Sequence, residues 1–119
     1  MQDDRLDYPE LQPIGMNQLA QRIHQTAVDH GWWEADRNVG EMLALMHSEL
    51  SEALEEWRQG KPDVYFVEGK PEGFAVELAD CIIRILDTLH SRGADVQGIV
   101  LAKMAYNDTR PYRHGGKRA

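Results

Sequence analysis

Two short stretches hold carboxylates at helical spacing. "HSELSEALEEWR", His47 to Arg58, carries Glu49, Glu52, Glu55 and Glu56. "FAVELADCIIRILD" carries Glu77, Asp80, Arg84 and Asp87 at intervals of three, four and three. A helical residue turns about 100°. In the first stretch this groups Glu49, Glu52 and Glu56 beside the apolar face and leaves Glu55 toward solvent. In the second it makes one narrow polar stripe on an otherwise apolar helix, which reads as buried. Carboxylates at a buried boundary must be paired, hydrogen-bonded or metal-bound. A salt-bridge seam closed by Arg84 is one solution. Four acids against one guanidinium leave an excess of negative charge, and unneutralised pairs about 4 Å apart repel by roughly 1–4 kcal/mol at intermediate dielectric. A divalent cation relieves that excess. All-oxygen donors without thiolates suit Mg²⁺, with Mn²⁺ as the alternative, better than zinc.

A third stretch is complementary. Lys103, Asn107 and Arg110 fall on one helical face within about 60°. They form either a solvated basic edge at a helix C-terminus or a phosphate clamp, with lysine as point charge and arginine as fork. Arg84 is a further candidate phosphate contact, or else pairs with Glu77 or Asp87. Trp33 and its neighbour Trp32 follow Gly31; such indoles pack in a core or stack on a base. Lys70 sits in a loop that either closes over a substrate or stays solvated.

Four helices must position these groups. Apolar periodicity and stop signals predict them over Met16–His30, Val39–Arg58, Phe74–His90 and from an Asp95 N-cap to Asn107 or Arg110. Leu43, Met46, Leu50, Leu54 and Trp57 form the stripe of the second, with Trp57 expected in the core. Residues 1–13, with Pro9 and Pro13, read as an irregular arm. Residues 59–73 read as one long loop, since "VYFV" has no evident partner strand. Residues 111–119 read as a basic tail whose His114, Arg113, Lys117 and Arg118 either reach a phosphate, on the same or a neighbouring subunit, or stay extended and free of it.

The chain of 119 residues fits one domain spanning 1–119. Its net charge of −7 argues against nucleic-acid binding, which needs a basic face, but not against a phosphate ligand that brings cations. A single cysteine, Cys81, rules out an internal disulfide and a multi-thiolate zinc site, and its apolar surroundings suggest a buried thiol. The acidic N-terminus resembles no signal peptide and no apolar run approaches a membrane span. A cytoplasmic protein without membrane attachment is expected.

E-x-x-E followed by E-x-x-D, here "ELSE" (Glu49–Glu52) and "ELAD" (Glu77–Asp80) with 24 residues between, resembles the MazG-like all-α nucleoside triphosphate pyrophosphohydrolases. "GKPEG" and the late "KMAYNDTRPYRHGGKR" add to the likeness, which covers Met16 to Arg118. The resemblance implies an all-α, four- to five-helix bundle assembling as a dimer or dimer of dimers. It implies Mg²⁺-dependent hydrolysis of a nucleoside triphosphate, with a deoxynucleotide favoured, to monophosphate and pyrophosphate. Glu49, Glu52, Glu77 and Asp80 would be the metal ligands, with Glu49 or Glu52 also accepting a proton from the attacking water. Lys103, Asn107, Arg110 and Tyr112 would lie around the phosphates or sugar. A phosphoribosyl-ATP pyrophosphatase and a non-catalytic nucleotide- or metal-binding oligomer remain the alternatives.

Overall fold

A computed structural model describes residues 13–113; the expectations for the N-terminal arm through residue 12, and for His114, Lys117 and Arg118, lie outside them. Four helices and one hairpin follow in the order α1 (Met16–Asp29), α2 (Val39–Arg58), β1 (Tyr65–Val67), β2 (Lys70–Glu72), α3 (Phe74–Ser91) and α4 (Val96–Asp108). The described chain is mostly helical, as the periodicity predicts.

The boundaries have local causes. The Asn38 side chain accepts from Glu41 N–H and opens α2. Gly31, at φ +86°, follows the end of α1. Asp95 accepts from Gly98 N–H at 3.0 Å and also from the amide of Asn17 at 2.8 Å. These two donors, Asn17 foremost, hold its carboxyl below the usual range. Gln97 N–H donates to Asn17 Oδ1, so the start of α4 is fastened to α1.

The loop expected over 59–73 contains a strand pair. Tyr65, Phe66 and Val67 stand opposite Glu72, Pro71 and Lys70. The turn residues Glu68 and Gly69 have φ of 52° and 82°, the sign pattern of a type I′ turn. "KPE" lacks β-branched residues and contains proline, so it carries no strand signature of its own; in this two-stranded ribbon Pro71 sits where only an edge strand tolerates it.

The helices pack mainly as α2 on α3 and α1 on α3. Ala20, Leu86 and Val96 form a cluster of buried apolar residues, flanked by Ile23 and Leu89. Cys81 is buried as expected. Two expectations fail. Trp57 is 63% exposed, touching Phe74 with ring centroids 5.7 Å apart, and is not core. Helix α3 is not buried throughout: Ile82, Ile83 and Ile85 face outward in the single chain. Periodicity reports that a face is apolar, not whether the same chain covers it.

Candidate metal centre

Helices α2 and α3 lie side by side and bring their acidic positions together. Carboxylate oxygens of Glu49, Glu52 and Glu77 all lie within 4.8 Å of one another. Glu49 is buried, Glu77 half-buried and Glu52 exposed, so the group opens to solvent on one side. Asp80 is not a member of this group. One helical turn beyond Glu77, it lines the adjoining cleft with Glu49.

Crowding leaves a chemical signature. Glu77 is pushed up from its ordinary 4.5 to about 7, first by desolvation, then by the facing carboxyls of Glu52 and Glu49. A raised carboxyl in this crowded group favours its protonated form. Asp80 is raised too, by desolvation and then by the charge of Glu49, with Arg84 opposing.

Arg84 pairs with neither Glu77 nor Asp87. Its Nε donates to Glu49 Oε1 at 2.9 Å, across from α3 to α2. Part of the salt-bridge seam therefore exists. It engages one acid of the three, and Glu52 and Glu77 keep no basic partner within the group. The donor set is all carboxylate oxygen, the chemistry that a hard divalent cation selects.

A second group shares Glu77: oxygens of Glu56, Glu72 and Glu77 also lie within 4.8 Å of one another. The hairpin supplies Glu72, and Tyr65 Oη donates to both oxygens of Glu56 at 3.0 and 2.9 Å. Lys70 Nζ stands 3.2 Å from Glu72 Oε1. Glu72 draws the Lys70 ammonium pKa up, with smaller help from Glu77 and Asp80, so the hairpin lies in the field of the carboxylates. Helical spacing signals Glu56, but nothing local signals Tyr65 or Glu72, which depend on the hairpin pairing.

Beside the carboxylates runs a cleft of about 520 Å³ between α1 and the α2/α3 pair. Glu49, Asp80 and Arg84 line one part of it. Ile23, Ala27, Leu45 and Ile83 form an apolar wall, and Trp32, His30, Thr26 and Arg37 complete it. The volume is in the range of small-molecule sites. Trp32 is 65% exposed and free to offer a ring face. Trp33 is held differently: its indole N–H donates to Asp87 Oδ1 at 3.0 Å, and Arg37 stacks over its ring at 5.1 Å.

Asp87 is thus an anchor at the bottom of the cleft. Buried, it meets His24 Nδ1 at 2.7 Å and Arg37 Nη1 at 3.6 Å as well as Trp33. Sequence spacing places Asp87 in the acidic stripe and gives no sign of His24 or Arg37. Both lie 50 or more residues away in the chain.

The candidates on α4 and just beyond its end are not assembled with this site. Lys103, Asn107 and Tyr112 are exposed and Arg110 half-buried, and none lines the cleft. Lys103 Nζ and Arg110 Cζ instead lie over the Tyr106 ring, at 5.0 and 5.9 Å. No helix among the described residues is long and apolar enough to cross a membrane. No protein-family model, curated protein or solved structure matches the chain.

Proposed function

We propose that the chain is a nucleoside triphosphate pyrophosphohydrolase of the MazG-like kind, dependent on Mg²⁺ or Mn²⁺. The observation that carries the reading is the meeting of Glu49, Glu52 and Glu77 beside a cleft with an apolar and aromatic wall. Repelling carboxylates need a cation, and the cleft has room for a nucleoside. Asp80 serves as a fourth ligand or as a ligand through water.

In this reading the cation supplies charge neutralisation for the triphosphate and acidifies water. The chain does the rest. Glu49, Glu52, Glu77 and Asp80 hold the cation. Glu52, the most accessible of the carboxylates, takes the proton from the attacking water. Arg84 fixes Glu49 from behind and neutralises part of its charge. The apolar wall and the Trp32 ring take the base, and Asp87 keeps Trp33 and Arg37 in place at the end of the cleft. Pyrophosphate leaves in line with the attacking oxygen. The working form is a homodimer or homotetramer, a reading supported by the apolar side chains exposed on α2, α3 and α4.

The Arg84–Glu49 pair favours a second reading, in which the acids are a structural seam of a non-catalytic binding protein. Phosphorus NMR of the reaction with each nucleoside triphosphate and with phosphoribosyl-ATP separates the two. The first reading expects equimolar monophosphate and pyrophosphate, lost in Glu49→Gln/Glu52→Gln with the helical circular-dichroism spectrum retained. Diphosphate and orthophosphate, or no turnover by folded protein, would reject it.

A further inference from the structure

The carboxylates lie along one axis with two different ends. Helices α2 and α3 run antiparallel: Met42 meets Thr88 at one end, and Glu56 meets Glu77 at the other. The first end holds the cleft, bordered by Glu49 and Arg84. Glu52 and Glu77 stand in the middle, and Glu56 and the hairpin's Glu72 close the opposite end. The seven-residue step from Glu49 to Glu56 is roughly 10 Å long, on the scale of an extended triphosphate. A nucleoside in the cleft, with its first phosphate at the central carboxylates, therefore sends its outer phosphates toward the hairpin.

Glu56 and Glu72 give that end the wrong sign for phosphate, and a cation of the chain must answer them. Arg84 is committed to Glu49, and Arg37 serves Asp87 beyond the cleft. Lys61 lies over the Tyr65 ring at 5.7 Å. Lys70 is placed differently. Its Nζ stands 3.2 Å from Glu72 Oε1 on a side chain that is 75% exposed. Exposed ion pairs are weak, so the ammonium can leave Glu72 for a stronger anion. Its backbone is fixed. Tyr65 Oη ties the hairpin to Glu56 on α2. The Ala75 N–H donates to the Asp63 carbonyl at 3.0 Å and ties the start of α3 to the chain before the hairpin. Lys70 is thus an adaptable charge on a firm mount, within the field of Glu77 and Asp80.

We propose that Lys70 is the residue that selects triphosphates: its ammonium exchanges Glu72 for the outer two phosphates and holds them as they leave. In that step the water oxygen bonds to the innermost phosphorus and the proton passes to Glu52. The bond from that phosphorus to the bridging oxygen breaks, and pyrophosphate departs with the electron pair. Lys70 answers the charge that builds on the departing oxygens. A monophosphate ends at the central carboxylates and does not reach Lys70. The inference rests on the pyrophosphohydrolase reading above and names the part of the substrate that the hairpin reads.

Calorimetric binding and turnover by the full chain in Mg²⁺ test it, with Lys70→Ala and Lys70→Arg. The binding probes are the α,β-methylene analogues of the common deoxynucleoside triphosphates, which cannot be cleaved between the first two phosphates, and the matching monophosphates. Lys70→Ala should weaken triphosphate-analogue binding at least about tenfold, the loss of a charged hydrogen bond, and leave monophosphate binding unchanged. It should lower kcat/KM for the triphosphate about 100-fold, the usual effect of removing one charge-stabilising donor. Lys70→Arg should recover most of each loss. Both variants should melt with the wild type, because the side chain is exposed. The inference is overturned if Lys70→Ala binds the triphosphate analogue as the wild type does, or weakens monophosphate binding equally. It is overturned too if the wild type binds the triphosphate analogue no tighter than the monophosphate. A wild type that turns over no nucleotide would sink the hydrolase reading, and the two binding affinities would still decide whether Lys70 holds the outer phosphates.

Discussion

Loading the carboxylate group with Mg²⁺ should expel a proton, and the amount can be worked from Glu77. Its pKa of about 7 comes first from desolvation and then from the facing carboxyls of Glu52 and Glu49. A cation binds the ionised group. With that pKa, binding should release about 0.9 proton at pH 6, about 0.5 at pH 7 and about 0.1 at pH 8. Asp80, also raised, adds to the release at the acid end. Apparent affinity should fall about tenfold, or roughly 1.4 kcal/mol, for each pH unit below 7. Titration calorimetry in buffers of different ionisation enthalpy reads the proton count directly, and Glu77→Gln should abolish the release near pH 7, leaving only the Asp80 share at the acid end. The sign for stability without metal follows from the same group. Folded protein holds a proton that the unfolded chain releases between about pH 4.5 and 7, so metal-free stability should fall as pH rises through that window. Saturating Mg²⁺ should remove the trend. Binding at pH 6 with no proton release would refute the idea that the three carboxylates form one crowded, cation-ready group.

Asp87→Asn should destabilise the protein by roughly 2–4 kcal/mol, because His24, Trp33 and Arg37 lose a buried charged acceptor; thermal unfolding and near-ultraviolet circular dichroism of the tryptophans check it, and an unchanged melting temperature would contradict it. Gly73→Ala should be more damaging than Gly60→Ala. Gly73 has φ of 116° with the Asp63 carbonyl where a Cβ would sit, whereas Gly60 has φ of 68° and open space. The first should cost several kcal/mol and the second about 1; chemical denaturation of both variants compares them.

Much of the fold is legible in local sequence. Gly31, Asp95 and the pairing of apolar periods with glycine stops place all four helices to within a residue or two. The hairpin is not legible, since "KPE" becomes a strand only by pairing with "YFV" across the Glu68–Gly69 turn. Nor is the fate of Trp57 and the α2 stripe, because an apolar face looks the same whether its own chain or another copy covers it. At the site, helical spacing groups Glu49 with Glu52 on α2 and sets Glu77 in the polar stripe of α3, while the packing of the two helices brings the three together. It cannot find Glu72, which depends on the hairpin, or the His24–Asp87–Trp33 contact, which joins three separate elements. It also leaves open the partner of Arg84, which only the packing of α3 against α2 decides in favour of Glu49.

The most direct test is pyrophosphate release from a panel of ribo- and deoxyribonucleoside triphosphates, with Mg²⁺ and with EDTA. Release that requires the cation, and that Glu52→Gln alone lowers by orders of magnitude, is the predicted result. Folded, Mg²⁺-loaded protein that releases none from any member of the panel would contradict the account.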